Sequence, residues 1–332
     1  MAWAPNDLEH AEGQIVTQID DYGVAEVEAG LEKFKELDLD VDALTPEENV
    51  AIFLAIANYF GQQRGLQDKK GTILTHITSS KTWTTPPEMR YGIHTTTRLA
   101  WHCDMGADVL ALYILSLAET GGDTFVASSW TIYKELMESY PGVLRTLSDA
   151  SWPIQISGNP PRYISAPLLR LADGKIFISV DPGRLGLHPA TAETGPEPPL
   201  PALSPSQLEA LQILSNLACK NQHRLDTRPG DIVFINNLAL LHARDSYIDP
   251  AEGPGRHLVR LWLRNPKLAW SIPQAMRVPW EAAFGPDGRG FPDRETRYPA
   301  HPTLEYKPPK YTAGSAAFIL GDDDDTNGEG LL

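Results

Sequence analysis

Trp101-His102-Cys103-Asp104, answered 140 positions after His102 by Leu241-His242, is the stretch on which the reading of this chain turns. An imidazole and a carboxylate two residues apart can grip one metal ion from adjacent corners. A second imidazole from a distant strand completes a face and leaves the opposite face open. Two histidines and one carboxylate on one face are the ligand set of non-haem Fe(II) sites. Taken singly, each part has a plainer reading. His-x-Asp also describes an edge strand running into a turn, and His242, after the apolar run Leu238 to Leu241, also describes a core histidine. Their company narrows the choice: Gly121-Gly122-Asp123-Thr124 follows the first motif, and Arg256-His257-Leu258-Val259-Arg260 follows the second.

Around these motifs the texture is mainly β with helical decoration. Thr72 to Thr78, Gly92 to His102, Val109 to Ser116, Asp231 to Ile235 and His257 to Leu263 read as strands, rich in β-branched and apolar residues. Ala172-Asp173-Gly174 sits between Tyr163 to Leu171 and Lys175 to Val180 as a hairpin turn. Helices are expected over Val24 to Leu37 from its three- and four-residue apolar steps and over Ser129 to Tyr140. Two more follow the capping sequences Thr45-Pro46-Glu47-Glu48 and Ser204 to Gln207. Pro189 to Pro205 reads as a loop or lid, and the proline-rich chain after Pro266 as a surface strap. With no internal repeat and no linker, residues 1–320 are expected to form one domain, with an acidic tail over 321–332 that holds Asp322 to Asp325. A double-stranded β-helix, or jelly roll, suits strands that must bring ligands from far apart to one rim.

On a strand, alternate residues share a face. Arg256, Leu258, Arg260 and Trp262 would therefore project together, offering two cations to a buried anion, and the planar arginine fork suits a carboxylate. Thr124 could add a hydroxyl beyond the Gly-Gly turn. The same alternation groups His94, Thr96, Arg98, Ala100 and His102, and turns Cys103 away as a packed thiol. Arg98 and Arg260 are the candidates for contacting an acidic substrate, with His76 on the earlier strand as a further lining residue.

The bulk composition excludes several classes. A net charge of −15 would repel phosphate backbones, so nucleic acid is not expected as a partner. No apolar run approaches 18 residues, the first 25 residues lack a secretory pattern, and two cysteines fit a reducing compartment. A cytoplasmic location without membrane contact is expected; the oligomeric state is not readable.

In this order and spacing the motifs resemble those of the taurine dioxygenase (TauD/TfdA) family of Fe(II)- and 2-oxoglutarate-dependent oxygenases, over roughly Thr72 to Arg264. They are also similar to those of clavaminate synthase, whose long interval between distal histidine and arginine matches the 14 residues from His242 to Arg256. Asp108 to Tyr113 and Arg256 to Trp262 resemble a branch common in fungal specialised metabolism. The resemblance implies a distorted jelly roll in which His102, Asp104 and His242 hold Fe(II). It implies that 2-oxoglutarate chelates the iron, with its far carboxylate on Arg256 and Thr124, and that O2 is the oxidant. It also implies that Arg260 meets an anionic group of the substrate, although the longer interval leaves the division between Arg256 and Arg260 open. Arg98 stands where the taurine enzyme has a polar neutral side chain, so a small carboxylate-bearing acid other than taurine is expected. The expected reaction is oxidation of an unactivated C–H bond, by hydroxylation or by desaturation or cyclisation, with release of succinate and CO2. Two other classes use the same barrel: a metal-dependent hydrolase or isomerase, and a ligand-binding member without activity.

Overall fold

The computed structural model describes residues 41–306 apart from 69, 88–89, 157–162, 186–200, 286–289 and 292–293. The expected helix at Val24 to Leu37, the acidic tail and most of the proline-rich loop lie outside the described residues. The described chain is mainly sheet with some helices. Helix α1 (Pro46–Phe60) begins where the sequence places it. Thr45 Oγ1 accepts from the Glu48 amide at 3.2 Å, and the Glu48 carboxylate accepts from the Thr45 amide at 2.8 Å. There follow β1 (Gln63–Arg64), β2 (Leu74–Thr78), β3 (Leu99–His102), β4 (Val109–Ser116), β5 (Thr120–Gly121) and β6 (Thr124–Ser128). Next come α2 (Ser129–Ser139), α3 (Pro141–Ser148), β7 (Trp152–Gln155), β8 (Tyr163–Ala166), β9 (Leu169–Ala172) and β10 (Lys175–Ile178). The last part holds α4 (Pro205–Lys220), β11 (His223–Leu225), β12 (Ile232–Asn236), β13 (Leu240–Arg244), β14 (Tyr247–Ile248), β15 (His257–Arg264) and α5 (Val278–Phe284).

Two antiparallel sheets dominate. In the first, β1 and β2 pair with one edge of β15, whose other edge pairs with β4, followed by β12. In the second the order is β11-β6-β13-β3. Strand β4 is a continuous apolar run, and β15 is one apart from Arg260, because both of their faces are covered. Leu110, Leu112, Leu258 and Trp262 belong to the core that includes Trp101, Ala127 and Leu241 of the second sheet. Ala111, Tyr113, Val259, Leu261 and Leu263 pack against Phe53 and Ala57 of α1. Tyr113 donates its hydroxyl to Asn49 of α1 at 2.6 Å, satisfying a buried polar pair.

Three expectations are corrected. Gly92 to His102 is not one strand: Gly92–His94 is a 3₁₀ turn and only Leu99–His102 extends. The Thr95 and Thr97 carbonyls accept from the Arg244 guanidinium instead of a neighbouring strand. Tyr163 to Leu171 is likewise broken, at Pro167, which has no amide to donate. Thus β8 pairs with β7, and β9 alone forms the hairpin with β10. Its turn has Asp173 and Gly174 at φ 50 and 69°, the two positive values that a two-residue hairpin requires. Finally, the chain after Pro266 is not all strap, since it carries α5.

His76 is buried on the side of β2 opposite the cavity described below. Its Nε2 donates to the Pro299 carbonyl at 2.9 Å, leaving Nδ1 to accept from His257 Nε2 at 2.8 Å. This clasp ties the later chain to the first sheet, and neither ring tolerates another proton easily. Burial pushes His257 down to about 4, helped by His76, and burial likewise lowers His76. His94, buried beneath Trp83 and Tyr306, is also pushed down to about 4, by burial first and then by nearby arginines. Between pH 6.5 and about 4 the unfolded chain therefore binds protons that the folded chain refuses, so stability falls as pH falls through that window. Urea midpoints taken from pH 7.5 to 4.5 should decline accordingly, and His257→Asn should flatten the slope by up to about 1.4 kcal/mol per pH unit. A profile with the same slope in both proteins would contradict this account.

Candidate metal centre and anion pocket

His102 and His242 are cross-strand neighbours: the two residues pair directly where β3 meets β13. Trp101 turns to the opposite face, donating its indole N–H to Cys219 of α4 at 3.1 Å, so His102 faces between the sheets. Register slips between His242 and Arg244, a bulge that lets Leu99 and His102, three residues apart, both line the same cavity. Beyond His102 the chain turns sharply through Gly106 (φ 101°). Asn237 holds this turn. Its side-chain oxygen accepts from the Asp104 amide at 2.9 Å, and its amide donates to the Asp104 and Ala107 carbonyls, both at 2.7 Å.

Asp104 is thereby brought beneath the two imidazoles. Its Oδ1 stands 3.8 Å from His102 Nε2 and 3.7 Å from His242 Nε2, and the ring centres are 4.1 Å apart. One ligand atom from each residue lies within 4.8 Å of the others, and all three side chains are buried. The second carboxylate oxygen is occupied: Arg260 donates to Oδ2 at 3.0 Å and the Trp262 indole at 2.7 Å. Burial alone would raise the Asp104 carboxyl, but Arg260 and then the two histidines hold it below its ordinary value. His102 Nδ1 lies 2.7 Å from the Ala100 carbonyl, which can only accept. The proton therefore sits on Nδ1 and the Nε2 lone pair points inward. Burial, reinforced by His102, pushes His242 down to about 3, so that ring is neutral at neutral pH. The inward lone pair of His102, the neutral ring of His242 and one oriented carboxylate oxygen fit a divalent iron ion.

A small cavity opens beside these residues. Its lining mixes the apolar side chains Ile77, Leu110, Leu112 and Leu258 with Thr124, Arg244, Arg256 and Arg260. Arg256 donates from Nε to the Gly122 carbonyl at 3.1 Å. Gly122 has φ 78°, and a Cβ there would stand 2.9 Å from Arg256 Cδ, so both backbone and space demand glycine. Burial first and Arg244 second push Arg256 down to about 10, which leaves it charged at neutral pH.

Not all of the sequence candidates meet here. Arg98 is exposed and points a guanidinium nitrogen at Cys219 Sγ, 3.5 Å away. His76 faces the His257 clasp. Neither lines the cavity, because β3 begins after Arg98 and Ile77, not His76, faces inward on β2. Cys103 is buried with its thiol against the Ile178 and Val180 carbonyls, away from the ligand set. Arg260 does line the cavity, yet it is held by Asp104 and, through Nε, by Gln67 Oε1 at 2.8 Å. Arg244 was overlooked, although it stands two residues beyond His242 and so shares its strand face. Gln67, Asn237 and Trp262 acquire their roles only through distant partners.

The chain is similar to known proteins over this same region. The sequence pattern of the taurine catabolism dioxygenase TauD, TfdA family matches residues 10–262. Taurine hydroxylase-like protein SAT17 of Stachybotrys chartarum is 35% identical over 250 residues, which cover 72% of this chain and 63% of that protein. FR-33289 synthase of Streptomyces rubellomurinus is 29% identical over 191 residues, covering 52% of this chain and 51% of the other. The chain thus spans less than two thirds of the length of either relative. Among solved structures, asparagine oxygenase with Fe(II), 3-hydroxyasparagine and succinate aligns with a TM-score of 0.48 and 17% identity over 64% of this chain and 63% of that one. The non-haem iron oxygenase OrfP with Fe and alpha-ketoglutaric acid aligns at 0.46 and 15%, over 64% and 63%. Since the family pattern runs through both strands that carry the paired histidines and on into β15, the chain belongs to the TauD, TfdA family, whose members are iron- and 2-oxoglutarate-dependent oxygenases.

Proposed function

We propose that this protein oxidises an unactivated C–H bond of a small carboxylate-bearing acid, using Fe(II), 2-oxoglutarate and O2. The observation that carries this reading is the one-sided ligand set: His102, Asp104 and His242 offer three donors from one side, and the other side opens on a cavity lined with cations. When bound there, iron would supply the oxidising power, consuming 2-oxoglutarate to succinate and CO2. The chain's own residues do the rest. Arg256 and Thr124 take the far carboxylate of 2-oxoglutarate. Arg260 and Trp262 fix Asp104 so that a single oxygen faces the ion. The apolar side chains of Ile77, Leu110, Leu112 and Leu258 keep water from the reacting carbon.

Hydroxylation is the default outcome, since it needs no second placement of the substrate. A small acid is favoured because the cavity is modest in size and rich in arginine; the name of the Stachybotrys relative also points to a small organic anion. Arg98 and His76 are not part of this proposal, because neither reaches the cavity. The two sheet orders support a distorted double-stranded β-helix; we read residues 1–320 as one domain, and within the described residues the cores on the two faces of β4 and β15 support that reading. No helix among the described residues is long and apolar enough to cross a membrane, and we place the protein in the cytoplasm.

Anaerobic addition of Fe(II) and 2-oxoglutarate should produce the weak visible charge-transfer band of the chelate, and a panel of small acids should then yield succinate under air. Turnover that needs no 2-oxoglutarate and survives Arg256→Met would favour a hydrolase or isomerase. Absence of both band and succinate would end the oxygenase reading.

A further inference from the structure

Arg244 lies in the cavity but takes no part in holding Asp104. It follows His242 by two residues on β13, so both side chains share one face, about 6.6 Å apart along the strand. Directly across the sheet, its register partner is Thr124 on β6, just as Val126 partners His242. Arg244 is 4% exposed. Its Nη2 donates to the Thr95 carbonyl at 2.9 Å and to that of Thr97, whereas its buried Nη1 has no hydrogen-bond partner among the described residues.

Arg256 approaches the same spot from β15. Both guanidinium groups lie over the Tyr247 ring, 4.9 and 5.6 Å from its centre, and the Tyr247 hydroxyl is itself buried without a partner among the described residues. Among the described residues, neither guanidinium pairs with a carboxylate. Two buried like charges, an unmatched donor and an unmatched hydroxyl form a constellation that an anion completes.

We propose that Arg244 and Arg256 together seat the far carboxylate of the 2-oxo diacid, Arg244 being a binding residue in its own right and not merely a brace for the Thr95 to Thr97 turn. This rests on the oxygenase reading above. The step from His242 to Arg244 matches the length of a five-carbon diacid that chelates at one end, and the Thr124 hydroxyl stands opposite Arg244 at the required level. Arg244 holds backbone carbonyls through Nη2 and Nε and leaves Nη1 for the ligand, so wall and ligand share a single anchor.

The test is anaerobic titration of the Fe(II)-loaded protein, read from the visible band of the chelate. Two ligands are compared: 2-oxoglutarate, and 2-oxopentanoate, which has the same carbon chain with a methyl in place of the far carboxylate. Arg244→Met should weaken 2-oxoglutarate roughly tenfold to a hundredfold, as expected for one hydrogen bond to a charged group, and leave 2-oxopentanoate within about twofold. Equal binding of 2-oxoglutarate by the variant and the unaltered protein would remove the role of Arg244 alone. Equal losses for both ligands would make it a structural brace and overturn the proposal. If the methionine variant does not fold, Arg244→Lys decides. Near-normal 2-oxoglutarate binding there, with the hold on Thr95 and Thr97 shortened, supports an anion contact; parallel loss of both ligands refutes it. Failure of the unaltered protein to bind 2-oxoglutarate would instead sink the oxygenase reading, and this inference with it.

Discussion

His102→Ala is expected to lose its iron and its turnover together. Removing an outer partner of a metal ligand typically weakens affinity 10–100-fold. Removing one of two imidazoles outright should therefore exceed roughly a hundredfold, even with Asp104 and His242 still in place. The fold should survive. The imidazole lines a cavity and makes one internal hydrogen bond, to Ala100, so its loss should change unfolding by no more than about 1.5 kcal/mol. Equilibrium dialysis against Fe(II) or Mn(II), alongside a urea melt, separates the two effects. A variant that still holds one equivalent of metal at unaltered affinity would remove His102 from the ligand set.

Arg260→Met should produce the largest loss of stability. Asp104 is 1% exposed, and Arg260 is the leading influence that keeps its carboxyl ionised against the cost of burial. Removing one partner of a buried pair leaves an uncompensated charge, which typically costs about 3–5 kcal/mol. The Trp262 and histidine contacts remain, which places the expectation toward the lower end. The folded carboxyl lies below its unfolded value, so its contribution is present above about pH 3.9 and disappears as pH falls through the folded value. The variant should therefore be weakest, relative to the parent, at neutral pH without metal. Adding Mn(II) should restore part of the difference, because the ion supplies the positive charge that the guanidinium no longer does. A change below about 1 kcal/mol in the metal-free melt would show that Arg260 does not support Asp104.

Elements with local signals were legible. The reciprocal cap of Thr45 and Glu48, the Asp173-Gly174 turn, and the long apolar runs of β4 and β15 each depend on residues close in sequence. So does the shared face of Arg256, Leu258 and Arg260. What the sequence concealed is long-range. Nothing near Thr95 to Thr97 announces that their carbonyls will be taken by an arginine almost 150 positions later, so Gly92 to His102 read as one strand and Arg98 seemed to share the face of His102. Asp104 could be nominated as a ligand, but not the division of its two oxygens, since Arg260, Trp262 and His242 come from strands brought beside it only by folding. Arg244 is a different kind of omission. Its alternation with His242 was readable, and the familiar spacing of the downstream arginines drew attention away from it.

The direct pairing of His102 with His242 bears on when an ion can be captured during synthesis. Two of the three candidate ligands, His102 and Asp104, leave the ribosome well before the third, and the strand that carries the late histidine lies between two strands made earlier. A nascent chain therefore has no complete grip to offer until that last insertion closes the sheet. The three side chains can converge only in a molecule in which β13 has been made and seated between β6 and β3.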